Sequence, residues 1–245
     1  MKTIGSTIIM LALASSLFAD NGKELKLASP DGTHEIVFYQ KQVSPAVNEL
    51  CYRVDYKSQP VVNESRAGLE LDNRIWEMAL GVRNLKQPAC WMDNLEVDSV
   101  TYQPETNLTW QPLYGERSSV RDHYRAGTLC LSKKDNSGYR LNIEVRAYNE
   151  GVAFRYFFPE HPKAIFHKVV GDLTEYALPA GTKAWTEQWA QAFFERLNID
   201  DIKHPVERAL TFELPNGKWA ALADADVDDW CLTKYLVSTD KKNTL

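Results

Sequence analysis

The residues of this chain best suited to chemistry are large aromatics and carboxylates, not a compact catalytic motif. Trp110, Tyr114, Tyr124, Trp185 and Trp189 fall in segments rich in loop residues. Sugar rings present apolar C–H faces that stack on such side chains, while carboxylates and guanidinium groups take the hydroxyls. The other use of the same aromatics is to fill a wide core. No nucleophile elbow, phosphate loop or zincin helix is present. The histidines, His34, His123, His161, His167 and His204, lack ligand spacing and read as surface or hydrogen-bonded residues. The acidic run Asp224, Asp226, Asp228, Asp229 lacks the glycine and closing glutamate of a calcium loop, and reads as a solvated turn. The paired carboxylates of a glycosidase meet only in space, so a single sequence does not reveal them.

Composition narrows the class. The formal net charge is −5 over 245 residues with no basic cluster, which argues against a nucleic-acid partner. Met1 to Ala19 has the form of a leader: Lys2, an apolar run from Ile4 to Phe18, and a cleavage site at Leu17-Phe18-Ala19. That run is too short and serine-rich for a spanning helix, and nothing later is apolar enough to span. The expectation is an exported protein, periplasmic or secreted, with a mature chain from Asp20 to Leu245. Roughly 225 residues suit one large β domain. Cys51, Cys90, Cys130 and Cys231 are widely separated. Export permits their oxidation without fixing a connectivity, and the spacing excludes the usual zinc cluster.

The elements that must position these residues read as strands. Leu25 to Ala28 is followed by the turn Ser29-Pro30-Asp31-Gly32, then His34 to Gln40. In Glu49 to Tyr56, Leu50, Tyr52, Val54 and Tyr56 alternate with polar partners, and Lys57-Ser58-Gln59 turns into Val61-Val62. Ala67 to Leu71, Leu95 to Gln103, Ala126 to Ser132, Tyr139 to Tyr148, Ala164 to Val170 and Leu173 to Leu178 continue the pattern. Ala209 to Leu214 and Lys218 to Ala223 form a hairpin around Pro215-Asn216-Gly217. Asp135 to Gly138 is a turn, and Ile75, Met78, Ala79 and Val82 have near-helical spacing, for a short helix or an irregular loop. The segment Arg146 to Pro159 reads as a hairpin turning at Asn149-Glu150-Gly151. Its second strand is apolar on both faces apart from Arg155, which predicts a central, covered strand with a buried, paired guanidinium. The fold class is all-β, a large β-sandwich, and no blade-length repeat favours a propeller.

Several segments in order resemble the N-terminal domain of glycoside hydrolase family 97. They are LASPDG (Leu27 to Gly32), AGLEL (Ala67 to Leu71), WQPLYGERSSVRDHY (Trp110 to Tyr124), RAYNEGVAFRYFFP (Arg146 to Pro159) and the acidic-aromatic region Leu173 to Arg196. The resemblance runs from about Leu25 to Tyr235. It implies a galactose-mutarotase-like supersandwich that precedes a catalytic (β/α)8 barrel in exported, calcium-using α-glucosidases or α-galactosidases. It implies that the barrel carries the catalytic acid and its partner, and that this domain gives one glutamate to calcium. Glu195 matches that glutamate best, with Glu187 as the alternative. Trp185, Trp189 and Glu116 are the candidate sugar contacts. The partners implied are an α-linked oligosaccharide and a catalytic barrel, in cis or from a neighbouring gene product.

The sequence departs from the family at Tyr124-Arg125-Ala126, where asparagine and glutamate usually follow the tyrosine, and at the polar tail Ser238 to Leu245, which reads as a frayed or frameshifted end. A carbohydrate-binding or substrate-shaping module, not catalytic alone, is the first expectation. The others are a non-functional fragment of a split or frameshifted α-glycosidase gene, and a mutarotase-like enzyme pairing His123 with Glu116 or His167 with Glu175.

Overall fold

The computed structural model describes residues 24–79, 90–134, 137–163, 166–228 and 230–245. The expected leader, Val82, Asp135 and Asn136 of the predicted turn, Ala164 and Ile165 of a predicted strand, and Asp229 lie outside the described residues. The strands are β1 (Glu24–Ala28), β2 (His34–Ser44), β3 (Val47–Tyr56), β4 (Gln59–Arg66), β5 (Leu69–Leu71), β6 (Glu96–Tyr102), β7 (Thr106–Trp110), β8 (Val120–Ser132), β9 (Arg140–Tyr148), β10 (Gly151–Phe157), β11 (Val169–Asp172), β12 (Lys183–Thr186), β13 (Glu195–Asn198), β14 (Leu210–Glu213) and β15 (Trp219–Leu222). One short helix, α1, spans Arg74–Ala79.

All ladders among these strands are antiparallel. One sheet runs β1-β2-β3-β4 and a second runs β10-β9-β8-β6, with β7 also on β8. A third joins β11 to β5, and a fourth runs β13-β12-β14-β15. The first two sheets face each other through alternating apolar residues. Leu25, Ile36, Phe38, Leu50 and Tyr52 meet Leu129, Leu131, Leu141, Ile143 and Val145 in one buried cluster. Phe154 of β10 seals the join, lying 5.2 Å from both Phe38 and Tyr52. The architecture is therefore the all-β sandwich that the strand pattern predicts.

Local chemistry sets the turns. Lys57 and Ser58 both take positive φ, 50° and 59°, which gives the tight reversal between β3 and β4. After β1, Asp31 accepts hydrogen bonds from the Ser29 and Thr33 hydroxyls and the Thr33 N–H. The Ser29 bond, then the Thr33 backbone bond, holds its carboxyl down at about 2. Asn149, at the tip of the β9–β10 hairpin, accepts from the Asp31 N–H at 3.0 Å and ties the two sheets together.

Several expectations need correction. β10 is an edge strand, not a central one. Arg155 is 66% exposed and pairs with Glu144, directly opposite on β9, at 2.7 Å. The strand looked covered because Phe157, on its outer face, is apolar yet exposed. Ile75 and Met78 of α1 are exposed, so their helical spacing forms no buried stripe. Leu173 to Leu178 is an extended connector and not a ladder strand: the Leu173 and Glu175 N–H groups donate to the Gly68 and Arg66 carbonyls. The tail Ser238 to Leu245 is not frayed. Thr244 and Leu245 are buried, and Tyr176 and Leu245 exchange backbone hydrogen bonds. The four cysteines are free thiols. No helix of the described residues is long and apolar enough to cross a membrane.

Candidate functional site

The sheet β13-β12-β14-β15 has two chemically distinct faces. Ala184 and Thr186 of β12, with Leu210 and Phe212 of β14, turn inward and are buried. The opposite parity points outward. There the register aligns Trp185 with Arg196 on β13 and Thr211 on β14, and Glu213 with Trp219 on β15. Trp185 and Trp219 therefore lean toward each other across β14, where Thr211 leaves room, with ring centroids 4.5 Å apart. Arg196 lies over the Trp185 ring at 4.9 Å and pairs with the Glu213 carboxylate. The result is a stacked indole pair, its ring planes tilted by 32°, with a guanidinium–carboxylate pair beside it. Trp219 is 57% exposed. Such a surface offers an apolar face to stack a pyranose ring and polar atoms for its hydroxyls. Trp219 escaped the sequence reading because its hairpin looked like an ordinary strand pair.

The β12–β13 connection carries the other expected residues. Glu187 is half-buried, and its carbonyl accepts from the Glu207 N–H. Trp189 is 53% exposed, and Phe193 and Phe194 are also largely exposed. Glu195 opens β13 opposite Thr186; its side chain is exposed, and its carbonyl accepts from the Thr186 hydroxyl at 3.2 Å. No hydrogen bond or ring contact among the described residues joins Trp189 or Glu116 to Trp185. Glu116 lies exposed on the loop between β7 and β8.

Calcium needs six to eight oxygen ligands. Among the described residues no group of three or more histidine, cysteine, aspartate or glutamate side chains could hold a metal ion. Glu195, or Glu187, thus offers a single carboxylate, and the described residues do not form a calcium cage.

Neither imagined histidine–carboxylate pair forms. His123 Nε2 lies 2.7 Å from Glu105 Oε1, and Arg125 donates to Glu105 Oε2 at 2.9 Å. These bonds, His123 first, hold the Glu105 carboxyl below its ordinary range. His123 Nδ1 is buried and has no hydrogen-bond partner among the described residues. His167 contacts Asn73, while Glu175 receives Lys241 Nζ and the Arg66 N–H.

The sequence family described as Glycosyl-hydrolase 97 N-terminal matches residues 27–244. A retaining alpha-galactosidase of Bacteroides thetaiotaomicron is 26% identical over 178 residues, which is 73% of this chain and 22% of that protein. A glycoside hydrolase family 97 enzyme from Pseudoalteromonas sp. strain K8, solved in complex with panose, superposes with a TM-score of 0.65 at 24% identity. That likeness covers 79% of this chain and 27% of the solved one. The same enzyme in complex with acarbose gives the same TM-score of 0.65. A beta-arabinopyranosidase structure has a TM-score of 0.63 at 16% identity, covering 80% of this chain and 31% of its own. These structural likenesses concern the fold, and the chain spans about a quarter of the length of such relatives. With nearly the whole described sandwich inside the family match, the chain belongs to the glycosyl-hydrolase 97 N-terminal family.

Proposed function

We propose that this chain is an exported carbohydrate-binding and substrate-shaping sandwich, its mature part starting at Asp20. It contacts an α-linked oligosaccharide and works packed against a catalytic (β/α)8 barrel supplied in cis or by a neighbouring gene product. The observation that carries the reading is the Trp185–Trp219 platform with its Arg196–Glu213 pair. The panose and acarbose complexes of the Pseudoalteromonas relative support the ligand class. Support for a covering domain comes from apolar side chains left in water: Leu113 is 100% exposed, Tyr114 90% and Phe193 93%. Glycosidic bond cleavage belongs to the barrel, and the chain alone turns over no glycoside. Glu195, or Glu187, gives one carboxylate to a calcium ion whose other ligands lie outside the described residues.

Calorimetric titration of the full chain with maltotriose and with melibiose tests the sugar contact. Binding at millimolar concentration that Trp219→Ala weakens about tenfold, as loss of one stacking platform does, supports it. Absence of heat with both sugars refutes it.

A further inference from the structure

The outer face of the five-stranded sheet holds a second constellation that the first platform does not explain. Cross-strand register places Tyr124 of β8 beside Tyr148 of β9, and Asp122 beside Leu108 of β7. The two tyrosine rings touch with centroids 5.1 Å apart. The Arg146 guanidinium lies 4.6 Å over the Tyr124 ring and donates to the Tyr148 hydroxyl at 3.4 Å. On either side of Arg146 the register sets Ala126 and Ala153, and opposite Tyr148 it sets Gly151. Ala126 is buried beneath its neighbours, while Arg146 above it is exposed. The face is bounded at one end by Tyr124 and Tyr148, and at the other by Glu144 and Arg155, which are bonded to each other.

Its polar groups retain unused capacity. Among the described residues Arg146 makes one long hydrogen bond, to Tyr148, so the remaining N–H donors of its guanidinium are available. Asp122 is half-buried and has no hydrogen-bond or ion-pair partner among the described residues, although its field reaches Arg146. Farther along the same face, Trp110 is 53% exposed and Leu108 63% exposed. Trp110 stands about 13 Å along the strands from Tyr124, the reach of a short oligosaccharide. A carboxylate and a guanidinium, both poised and of opposite charge, favour a neutral ligand rich in hydroxyls over an anion. The flat aromatic rings favour one with C–H faces.

We infer that this face, built on Asp122, Tyr124, Arg146 and Tyr148 with Trp110 beyond, is a second contact surface for a neutral oligosaccharide. It shares only its ligand class with the Trp185–Trp219 platform, and it uses a different sheet. Backbone-amide NMR of the full chain, titrated with maltotriose and separately with melibiose, tests it. Expected are shifts in β7, β8 and β9 whose midpoint rises about tenfold in Asp122→Asn and in Arg146→Met, as loss of a charge-assisted hydrogen bond gives. Trp219→Ala leaves those shifts unchanged, and an unaltered circular dichroism spectrum shows that each variant is folded. Shifts confined to β12–β15 overturn the inference and leave the first platform standing. Shifts confined to β7–β9 support it and remove the first platform. Midpoints that both polar variants leave unchanged overturn it, and so does an absence of shifts anywhere.

Discussion

Acid should weaken this fold through one histidine. His167 stacks on Phe158 with ring centroids 4.3 Å apart, and it meets the rings of Tyr139 and Trp91 at about 6 Å. Asn73 fixes its tautomer. The Asn73 carbonyl oxygen already accepts from the Lys168 N–H at 2.8 Å, so its amide nitrogen must donate to His167 Nδ1, 3.2 Å away. Protonating Nδ1 would set donor against donor. Burial, and then the neighbouring His161, hold His167 down at about 4 against an ordinary 6.5. The nearby cation Lys133, over the Trp91 ring, gives a charged imidazolium no help. The folded state therefore binds fewer protons than the unfolded chain between these two values. Stability from this group is full above pH 6.5 and drains away as pH falls toward 4.

Linkage over that gap gives about 2.6 kcal/mol lost by pH 4.5. The ring is only half-buried, and solvent screening cuts the figure to about 1 kcal/mol. Urea unfolding at pH 7.5 and at pH 4.5, on the native chain and on His167→Gln, isolates the contribution. Glutamine keeps an acceptor for Asn73 but does not titrate. Carboxylates such as Glu64 and Glu105, held below their ordinary range in the folded chain, also begin to cost stability at the acid end of this interval, so only the difference between the two proteins counts. The native chain should lose about 1 kcal/mol more than His167→Gln. Equal losses would refute the argument.

Three further outcomes follow from the fold. Arg155→Met removes an exposed edge-strand pair and should change unfolding free energy by under about 1 kcal/mol; a loss of several kcal/mol would mean that Arg155 is a buried clamp after all. Gly68→Ala places a methyl 3.0 Å from Leu173 Cβ and 3.2 Å from Cys90 Sγ, so overpacking should cost about 1–3 kcal/mol in urea, and a neutral result would show that the connector yields easily. Chelator or added calcium should leave the melting temperature of the chain unmoved, because no cage exists among the described residues. A rise of several degrees in calcium would mean that a cage does form in this chain.

Much of the sandwich was legible because most inward positions of the main strands are apolar and most outward ones are polar. Leu50, Tyr52 and Val54 announce β3, and Leu141, Ile143 and Val145 announce β9, by simple alternation. β7, β12 and β13 were not legible. Each is four or five residues long, and on β7 the exposed outer residues Leu108 and Trp110 break the rule that apolar means inside. The same confusion made β10 look central. Trp185 and Glu195 could be marked in the sequence, but the Trp185–Trp219 contact spans two strands, and only sheet order creates it. Likewise, His123 finds Glu105 because the β7–β8 ladder brings position 105 back beside it, while the nearer Glu116 sits out on the connecting loop. The family segments carried what alternation did not.

The seam formed by Tyr176 and Ala177 also governs the order in which the protein can be made. Ala177 accepts from the Asn63 N–H on one side and bridges Thr244 on the other, while Tyr176 exchanges bonds with Leu245. Strand β4, the middle connector and residues 243–245 thus meet in one place. On a ribosome, β1 to β4 can form hairpins early, yet the seam cannot close until residues 243–245 have emerged. Contacts so distant along the chain make for slow folding, with open sheet edges exposed in the interval. During synthesis, the chain must be kept from aggregating until residues 243–245 arrive.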